Sequence, residues 1–368
     1  MKILAAVTRA PHAAMTLETL EIDAPRDTEI LVRVVATGVC HTDIVVRDGM
    51  LPTPLPAVLG HEGAGIVEAV GRKVTKVVPG DHVVMSYNSC GHCPSCDAHA
   101  PSYCHEFFPR NFLADRPDGT SALRGGDGMV HSNFFGQSSF ATHAICHERN
   151  IVKVPREARL ELLGPLACGI QTGAGAVFET HKVAEGQTVA VFGCGSVGLA
   201  ALMAAKVAGA REIIAVDTNE ARLDFARSIG ATLTINPATT PATEAILKHT
   251  RYGVDHAIDT TGIAAVIRHA VDSLAPRGTC GMIGASAPGS EVTLDEVHFL
   301  SGGRRLVGIV EGGAIPDQLI PKLIALHAEG RFPFDRMVKF YPFAEINTAI
   351  ADSENGHCIK PIVLMPEV

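Results

Sequence analysis

The chain has no surplus of basic residues: 39 Asp and Glu outnumber 31 Lys and Arg, for a net charge of −8. Phosphate contacts need a basic surface, and no run of Lys or Arg has the shape of a nucleic-acid tail, so nucleic acid is excluded as a general partner. There is no charge-free apolar run of the ~18 residues that a membrane span needs. The opening MKILAAVTRAPHAAM holds only a short apolar run, broken by Arg9 and Pro11. That is too short for a secretory leader and reads as a first strand. Repeats and low-complexity segments are missing too. The ten cysteines cluster too unevenly for a disulfide framework. In a long chain without a leader, metal binding is the better reading and the cytoplasm the expected compartment.

What remains is an ordinary globular composition, 46% apolar and 19% charged, in 368 residues, long enough to predict two domains. Up to Pro165 the pattern is one of strands and loops, with strands expected at 29–39, 62–71 and 81–87 and a loop-rich stretch at 90–136. After Pro165 short apolar runs alternate with helical patterns: TVAVFG, SVGLAALMAAKVAG, EIIAVD, NEARLDFARSIG, ATLTIN. This alternation predicts an α/β fold with a doubly wound parallel sheet, continued by VDHAID, GTCGMIG and RRLVGIV. A helix over 317–329, a further short helix and a closing strand CIKPIVLM follow.

The run Gly193-Cys-Gly195-Ser-Val-Gly198 follows one predicted strand and opens a helix, and Asp217 ends the next strand. Gly193 suits the tight turn, Gly195 the close approach of a pyrophosphate, and Gly198 the packing of helix on strand. The pyrophosphate would rest on the helix N-terminus. Asp217 would bind a ribose 2′-hydroxyl and repel a 2′-phosphate, which favours NAD over NADP, with Arg222 against the adenosine ribose.

Cys90-x2-Cys93-x2-Cys96-x7-Cys104 puts four thiols in one short loop, the pattern of a closed structural zinc site. Two disulfides are the alternative pattern for these four. A second set, Cys40, His61 and Cys168, is scattered along the chain. Two thiolates and one imidazole leave a fourth position open, as a catalytic zinc requires, although each residue taken singly also suits a small core position.

Over essentially its whole length the sequence resembles the zinc-dependent medium-chain alcohol dehydrogenases. GHEGAGIVEAVGRKVTKVVPGDHV is similar to that superfamily's zinc signature, and the four-Cys loop and GCGSVG follow in the family order. HEFFPRNF, FFGQSSFATHA, LLGPLACGIQTGAGAV and GRFPFDRMVKFYPFAEIN resemble the aryl-alcohol (benzyl alcohol) dehydrogenase branch, a pattern that geraniol and perillyl alcohol dehydrogenases share.

The resemblance implies a GroES-like β-rich catalytic domain, 1–169 and 311–368, carrying both zincs around an inserted Rossmann NAD-binding domain, 170–310. It implies Cys40, His61 and Cys168 as catalytic zinc ligands and a homodimer or homotetramer. It also implies the reversible oxidation of a primary aromatic or allylic alcohol to the aldehyde, zinc acting as Lewis acid and NAD taking the hydride. Thr42 matches the position that accepts the alcohol proton, Asp43 the carboxylate that orients His61, and Glu62 an acid that tunes the metal. Thr172 and Val197 match nicotinamide positions, and His41 and Lys360 match pyrophosphate positions. An extended backbone is expected to splay Cys40 and His41 apart. Val45 departs from the family, since many relatives keep a proton-carrying His there; the proton is expected to leave through the ribose hydroxyl and water, with His41 as a further catalytic candidate or another base as the alternative route. Leu51, Tyr87, Phe134, Phe135, Ile283 and Val310 align with pocket positions and suit a bulky planar alcohol. Two rival readings stand beside this one. A glutathione-dependent formaldehyde dehydrogenase would need a basic pocket, for which Arg110, Arg116 and Arg124 are the candidates. A zinc-stabilised NAD-binding redox sensor would need no catalysis at all.

Overall fold

The structure, a computed structural model, describes residues 1–126 and 128–366. Contacts divide the chain into two units: Met1–Cys168 with Ile315–Ile324 and Asp335–Val368, and Gly169–Ala314 with Ala325–Phe334. Residues 311–314 and 325–334 therefore group with the second unit, whereas the sequence reading placed them with the first. Glu311 accepts hydrogen bonds from Gln171 at 3.1 Å and Thr172 at 3.4 Å, and the Gly312 carbonyl accepts from Thr180 at 3.1 Å. These bonds tie that segment to the helix Gly169–Gly175 and the turn after it.

The first unit is β-rich. A five-stranded sheet has Lys2–Thr8 and Thr16–Ile22 at its centre. A seven-stranded sheet is built around Glu29–Gly38, which pairs antiparallel with Gly63–Val70, His143–His147 and Lys360–Leu364. Such pairing on several sides explains why most of Glu29–Gly38 is buried. The strand stops at Gly38, where any Cβ would come 2.0 Å from a Glu62 carboxylate oxygen. Within 90–136 the structure adds short elements to the expected loop, among them the helix Phe107–Phe112.

The stretch after Cys40 is not extended, as the sequence reading had it, but the helix His41–Arg47. Three β-branched residues, Ile44, Val45 and Val46, suggest a strand, yet Asp43 turns back and accepts the Cys40 N–H at 3.0 Å. An acidic residue closing on the N-cap in this way starts a helix. Ile44 and Val46 then point into the core, which accounts for the apolar tail of the run.

The second unit holds a six-stranded sheet in the order Leu233–Ile235, Glu212–Val216, Thr188–Phe192, Val254–Asp259, Leu274–Met282, Arg305–Gly308. All five pairings are parallel. The order reverses between Thr188–Phe192 and Val254–Asp259, and ligands of doubly wound sheets bind at the carboxyl ends of strands at such a switch point. Every residue of Thr188–Phe192 is buried, as a strand covered on both faces requires.

In the same unit His181, 8% exposed, meets His256 with their Nδ1 atoms 3.1 Å apart. His256 Nε2 lies 2.9 Å from Gln187 Oε1, which also accepts the Ala184 N–H. An acceptor there makes His256 Nε2 the protonated nitrogen, so His181 donates from Nδ1 and both rings are neutral. Burial, and then the facing His256, push His181 from 6.5 down to about 3. In the unfolded chain the same group takes up a proton near its ordinary pKa. Stability is therefore complete above about pH 6.5 and is lost as pH falls toward 3, by about 1.4 kcal/mol per unit. Guanidinium unfolding midpoints at pH 7 and pH 5 should differ less in His181→Asn than in the parent chain; an equal difference refutes this assignment.

Candidate active site

Three separated stretches of the first unit converge at the end of Glu29–Gly38. Cys40 is the N-cap of its helix, His61 lies just before Gly63–Val70, and Cys168 ends a short buried turn. The sulfurs of Cys40 and Cys168 are 3.9 Å apart. Donor atoms of Cys40, His61, Glu62 and Cys168 all lie within 4.8 Å of one another. Two thiolates on one tetrahedral zinc, with Zn–S of about 2.3 Å, stand about 3.8 Å apart, so the observed spacing is a tetrahedron's edge.

His61 is aimed by its neighbours. Its Nδ1 lies 2.9 Å from Asp43 Oδ1, and both side chains are fully buried. Asp43 also accepts the N–H groups of Cys40 at 3.0 Å and Gly60 at 3.1 Å, so its carboxylate is held from three sides. In the neutral imidazole the Nδ1–H donates to this carboxylate and the lone pair lies on Nε2, which is buried and has no hydrogen-bond partner. An orphaned acceptor at the focus of two thiols fits a metal. Against the penalty of burial, Asp43 and Cys40 raise the His61 pKa, and the Cys168 thiol, helped by His61, holds Cys40 well below its ordinary value. Thr42 Oγ1 stands 3.7 Å from the Cys40 sulfur.

Lys360 has a different partner from the pyrophosphate expected of it. Its Nζ is buried, 2.8 Å from both carboxylate oxygens of Glu62 and 3.1 Å from the Val39 carbonyl. Burial raises the Glu62 pKa, and Lys360 opposes that rise. His41, by contrast, is exposed at the first position of its helix, and Val45 is half-buried.

Aromatic rings close around His61. Phe135 stacks on the imidazole at 4.4 Å and 24°, while Phe134 meets it edge-on at 5.5 Å. Phe112 contacts both, and Phe107 links Phe135 to Tyr87. Leu51 packs against the same core. Phe107 and Phe112 lie in HEFFPRNF, whose family likeness marks the stretch but none of its residues as part of the site. Ile283 is half-buried and Val310 is exposed in the second unit.

Cys90, Cys93, Cys96 and Cys104 form a second cluster, with sulfurs 3.9 Å apart for Cys90–Cys96 and 4.0 Å for Cys93–Cys104. These distances again match the tetrahedral edge and are far from a bonded pair; all ten cysteines are free, against the disulfide alternative. Backbone N–H groups point at the sulfurs: Cys90 and Glu106 at Cys104, His92 at Cys90, and His105 at Cys93. Such donors stabilise thiolates.

In the second unit Gly193 has φ +92°, and Gly198 is so close to the Gly193 carbonyl that a Cβ would fall 1.8 Å from it. Gly195 caps the helix Ser196–Val207, and a Cβ there would meet nothing within 4 Å, which leaves an open cradle at the helix N-terminus beside the half-buried Val197. Asp217 accepts the N–H groups of Cys194 at 2.6 Å and Asn219 at 2.8 Å, which pins its carboxylate beside the turn. Arg222 Nε is buried without a hydrogen-bond partner. Cradle and orphaned donor fit a dinucleotide. Thr172 donates to Glu311, a buried carboxylate that sequence patterns did not mark.

Residues 26–156 match the alcohol dehydrogenase GroES-like domain, and 196–329 match the zinc-binding dehydrogenase domain. The chain is similar to geraniol dehydrogenase of Castellaniella defragrans, 46% identical over 98% of this chain and 97% of that protein. It is similar to S-(hydroxymethyl)glutathione dehydrogenase of Saccharomyces cerevisiae at 34%, over 100% and 97% of the two chains. The structure of benzyl alcohol dehydrogenase from Acinetobacter calcoaceticus is similar at TM-score 0.97 and 48% identity, over 100% of both chains.

Proposed function

Because the chain belongs to the zinc-binding alcohol dehydrogenase family, we propose that it oxidises a primary aromatic or allylic alcohol to the aldehyde, reversibly and with NAD. The observation that carries the substrate class is the pair Phe134 and Phe135 against His61, extended by Phe107 and Phe112, an aromatic environment that suits a planar group. Cys40, His61 and Cys168 are the proposed holders of one zinc, and Cys90, Cys93, Cys96 and Cys104 of a second. When bound, the first zinc supplies the Lewis acidity that makes an alcohol proton leave near neutral pH. Thr42 is the proposed acceptor of that proton. Asp43 keeps His61 in one tautomer, with its Nδ1–H on the carboxylate.

Asp217 supports NAD over NADP, since its pinned carboxylate would face a 2′-phosphate. Among the described residues no helix is long and apolar enough to cross a membrane; a cytoplasmic homo-oligomer acting on small alcohols remains part of the proposal.

The glutathione reading needs free arginines. Arg110 is paired with Glu106, Arg116 with Glu29 and Asp23, and Arg124 with Asp23, which weighs against a carboxylate-binding pocket there. A complete set of donors about His61 weighs against a purely sensory role.

Initial rates of NADH formation test the proposal, with benzyl alcohol, geraniol, ethanol, and formaldehyde plus glutathione, each with NAD and NADP. The expected kcat/KM for benzyl alcohol or geraniol exceeds that for ethanol by at least about tenfold. Turnover only with formaldehyde and glutathione, or with no alcohol at all in zinc-loaded protein, overturns it.

A further inference from the structure

Residues 134–140 have a backbone that their side chains do not favour. Phe135 has φ +50°, Gly136 +65° and Ser138 +54°, so two non-glycine residues within four positions are left-handed. A bulky aromatic residue adopts that region only where its surroundings impose it. Here the surroundings are hydrogen bonds to 58–63, the stretch that carries His61. Ser138 Oγ donates to the Val58 carbonyl at 2.6 Å, the Ser139 N–H to Gly60 at 2.9 Å and the Phe140 N–H to Leu59 at 3.0 Å.

The central bond-maker is Gln137, which is fully buried. Its Oε1 accepts the Gly63 N–H at 3.0 Å, and its Nε2 donates to the carbonyls of His61 at 3.0 Å and Met85 at 2.9 Å, with Ser86 at 3.3 Å. One carboxamide thus joins the backbone just after His61 to the segment that presents Phe134 and Phe135. The cost of an unmet bond is high here, because buried backbone groups of His61, Gly63 and Met85 are met by this side chain, and the Ser86 carbonyl is shared with Asn150. Gln137 touches no reacting atom. It anchors the segment in which Phe135 has φ +50° and stacks on the imidazole at 4.4 Å.

We propose that Gln137 is a positioning residue that sets substrate preference: its carboxamide locks Phe135 flat against His61, and that locked ring is the wall that discriminates planar from small aliphatic alcohols. The substrate half of this statement rests on the function proposed above; the locking of His61 does not. Gln137→Met keeps length and volume and removes every polar contact. With this central anchor gone the segment keeps only the bonds of Ser138, Ser139 and Phe140 to 58–60, and the φ of Phe135 relaxes until the ring leaves the imidazole.

The test uses full-length protein with zinc, and with cobalt(II) in its place, in Gln137→Met, Phe135→Gly and the double variant. Glycine accepts the left-handed backbone and removes the ring alone. The expected result is a fall of about tenfold in the ratio of kcat/KM for benzyl alcohol over ethanol, carried by KM, in either single variant. The double variant falls no further, since both changes remove one stack. The cobalt absorption bands shift in both, as the imidazole is freed to tilt. A ratio within twofold of the parent together with unchanged cobalt bands overturns the proposal, and a lowered melting temperature alone would leave Gln137 only a scaffold role. Should Gln137→Met not fold, Phe135→Gly decides, and an unchanged ratio and spectrum there overturn it. If the parent itself shows no preference for the aromatic alcohol, the substrate reading fails, and the cobalt bands still judge the lock.

Discussion

Cys168→Ser is expected to lower kcat/KM for the alcohol substrate by more than about 100-fold while leaving the fold intact. Loss of an outer hydrogen-bond partner such as Asp43 costs about 10–100-fold in metal affinity or activity, and removal of a proposed ligand must exceed that. A serine hydroxyl does not ionise near neutral pH and is a poor substitute for a thiolate on zinc. Cys168 stands 3.9 Å from Cys40, so the remaining pair, Cys40 and His61, would hold the metal through too few bonds. Metal analysis should find one zinc fewer per chain than in the parent, for which two are proposed, with a melting temperature close to the parent's. Two zincs retained together with more than a tenth of the activity would show that Cys168 is not a ligand.

Cys104→Ser is expected to act in the opposite sense, through stability. The loop from Cys90 to Cys104 has little core of its own: Cys93 and Cys104 are buried, but His92 and His99 are exposed. What orders it is the convergence of four sulfurs and the N–H groups aimed at them. Two such donors, from Cys90 and Glu106, end on Cys104, so its loss breaks both the tetrahedron and the turn. A drop on the order of 4 kcal/mol is expected, the scale at which loss of a metal stands out among single substitutions. Denaturant midpoints and tryptic cleavage at Arg110 would report it, again with one zinc fewer per chain. A midpoint equal to the parent's would mean that the loop is held without metal.

The two substitutions separate what the sequence made easy to read from what it hid. The Cys90–Cys104 loop and the Gly193–Gly198 turn are local: ligands or turn residues a few positions apart must also be close in space, so spacing alone carries the chemistry. The strand and helix alternation after Pro165 is legible for the same reason, because a parallel sheet announces itself through short, fully apolar strands. Cys40, His61 and Cys168 offered no such spacing, and family likeness had to stand in for it.

The run Cys40-His-Thr-Asp43 shows where local reading stops. An extended chain is expected there, but the run is a helix, begun where Asp43 accepts the Cys40 N–H. Lys360 looked like a phosphate binder until the fold set it 2.8 Å from Glu62, 298 positions away in the chain. Gln137 and Glu311 carry no motif, and only their burial among backbone groups and hydroxyls distinguishes them.

By itself, then, the sequence determined the strand–helix alternation after Pro165, the glycine turn and the four-thiol loop, since each is written in short-range periodicity or spacing. Only tertiary structure decided which distant side chains meet His61, which way its imidazole faces, and which charge Lys360 answers. Those outcomes depend on strand ends and loops packing side by side, and contacts between residues hundreds of positions apart leave no periodic trace in the chain.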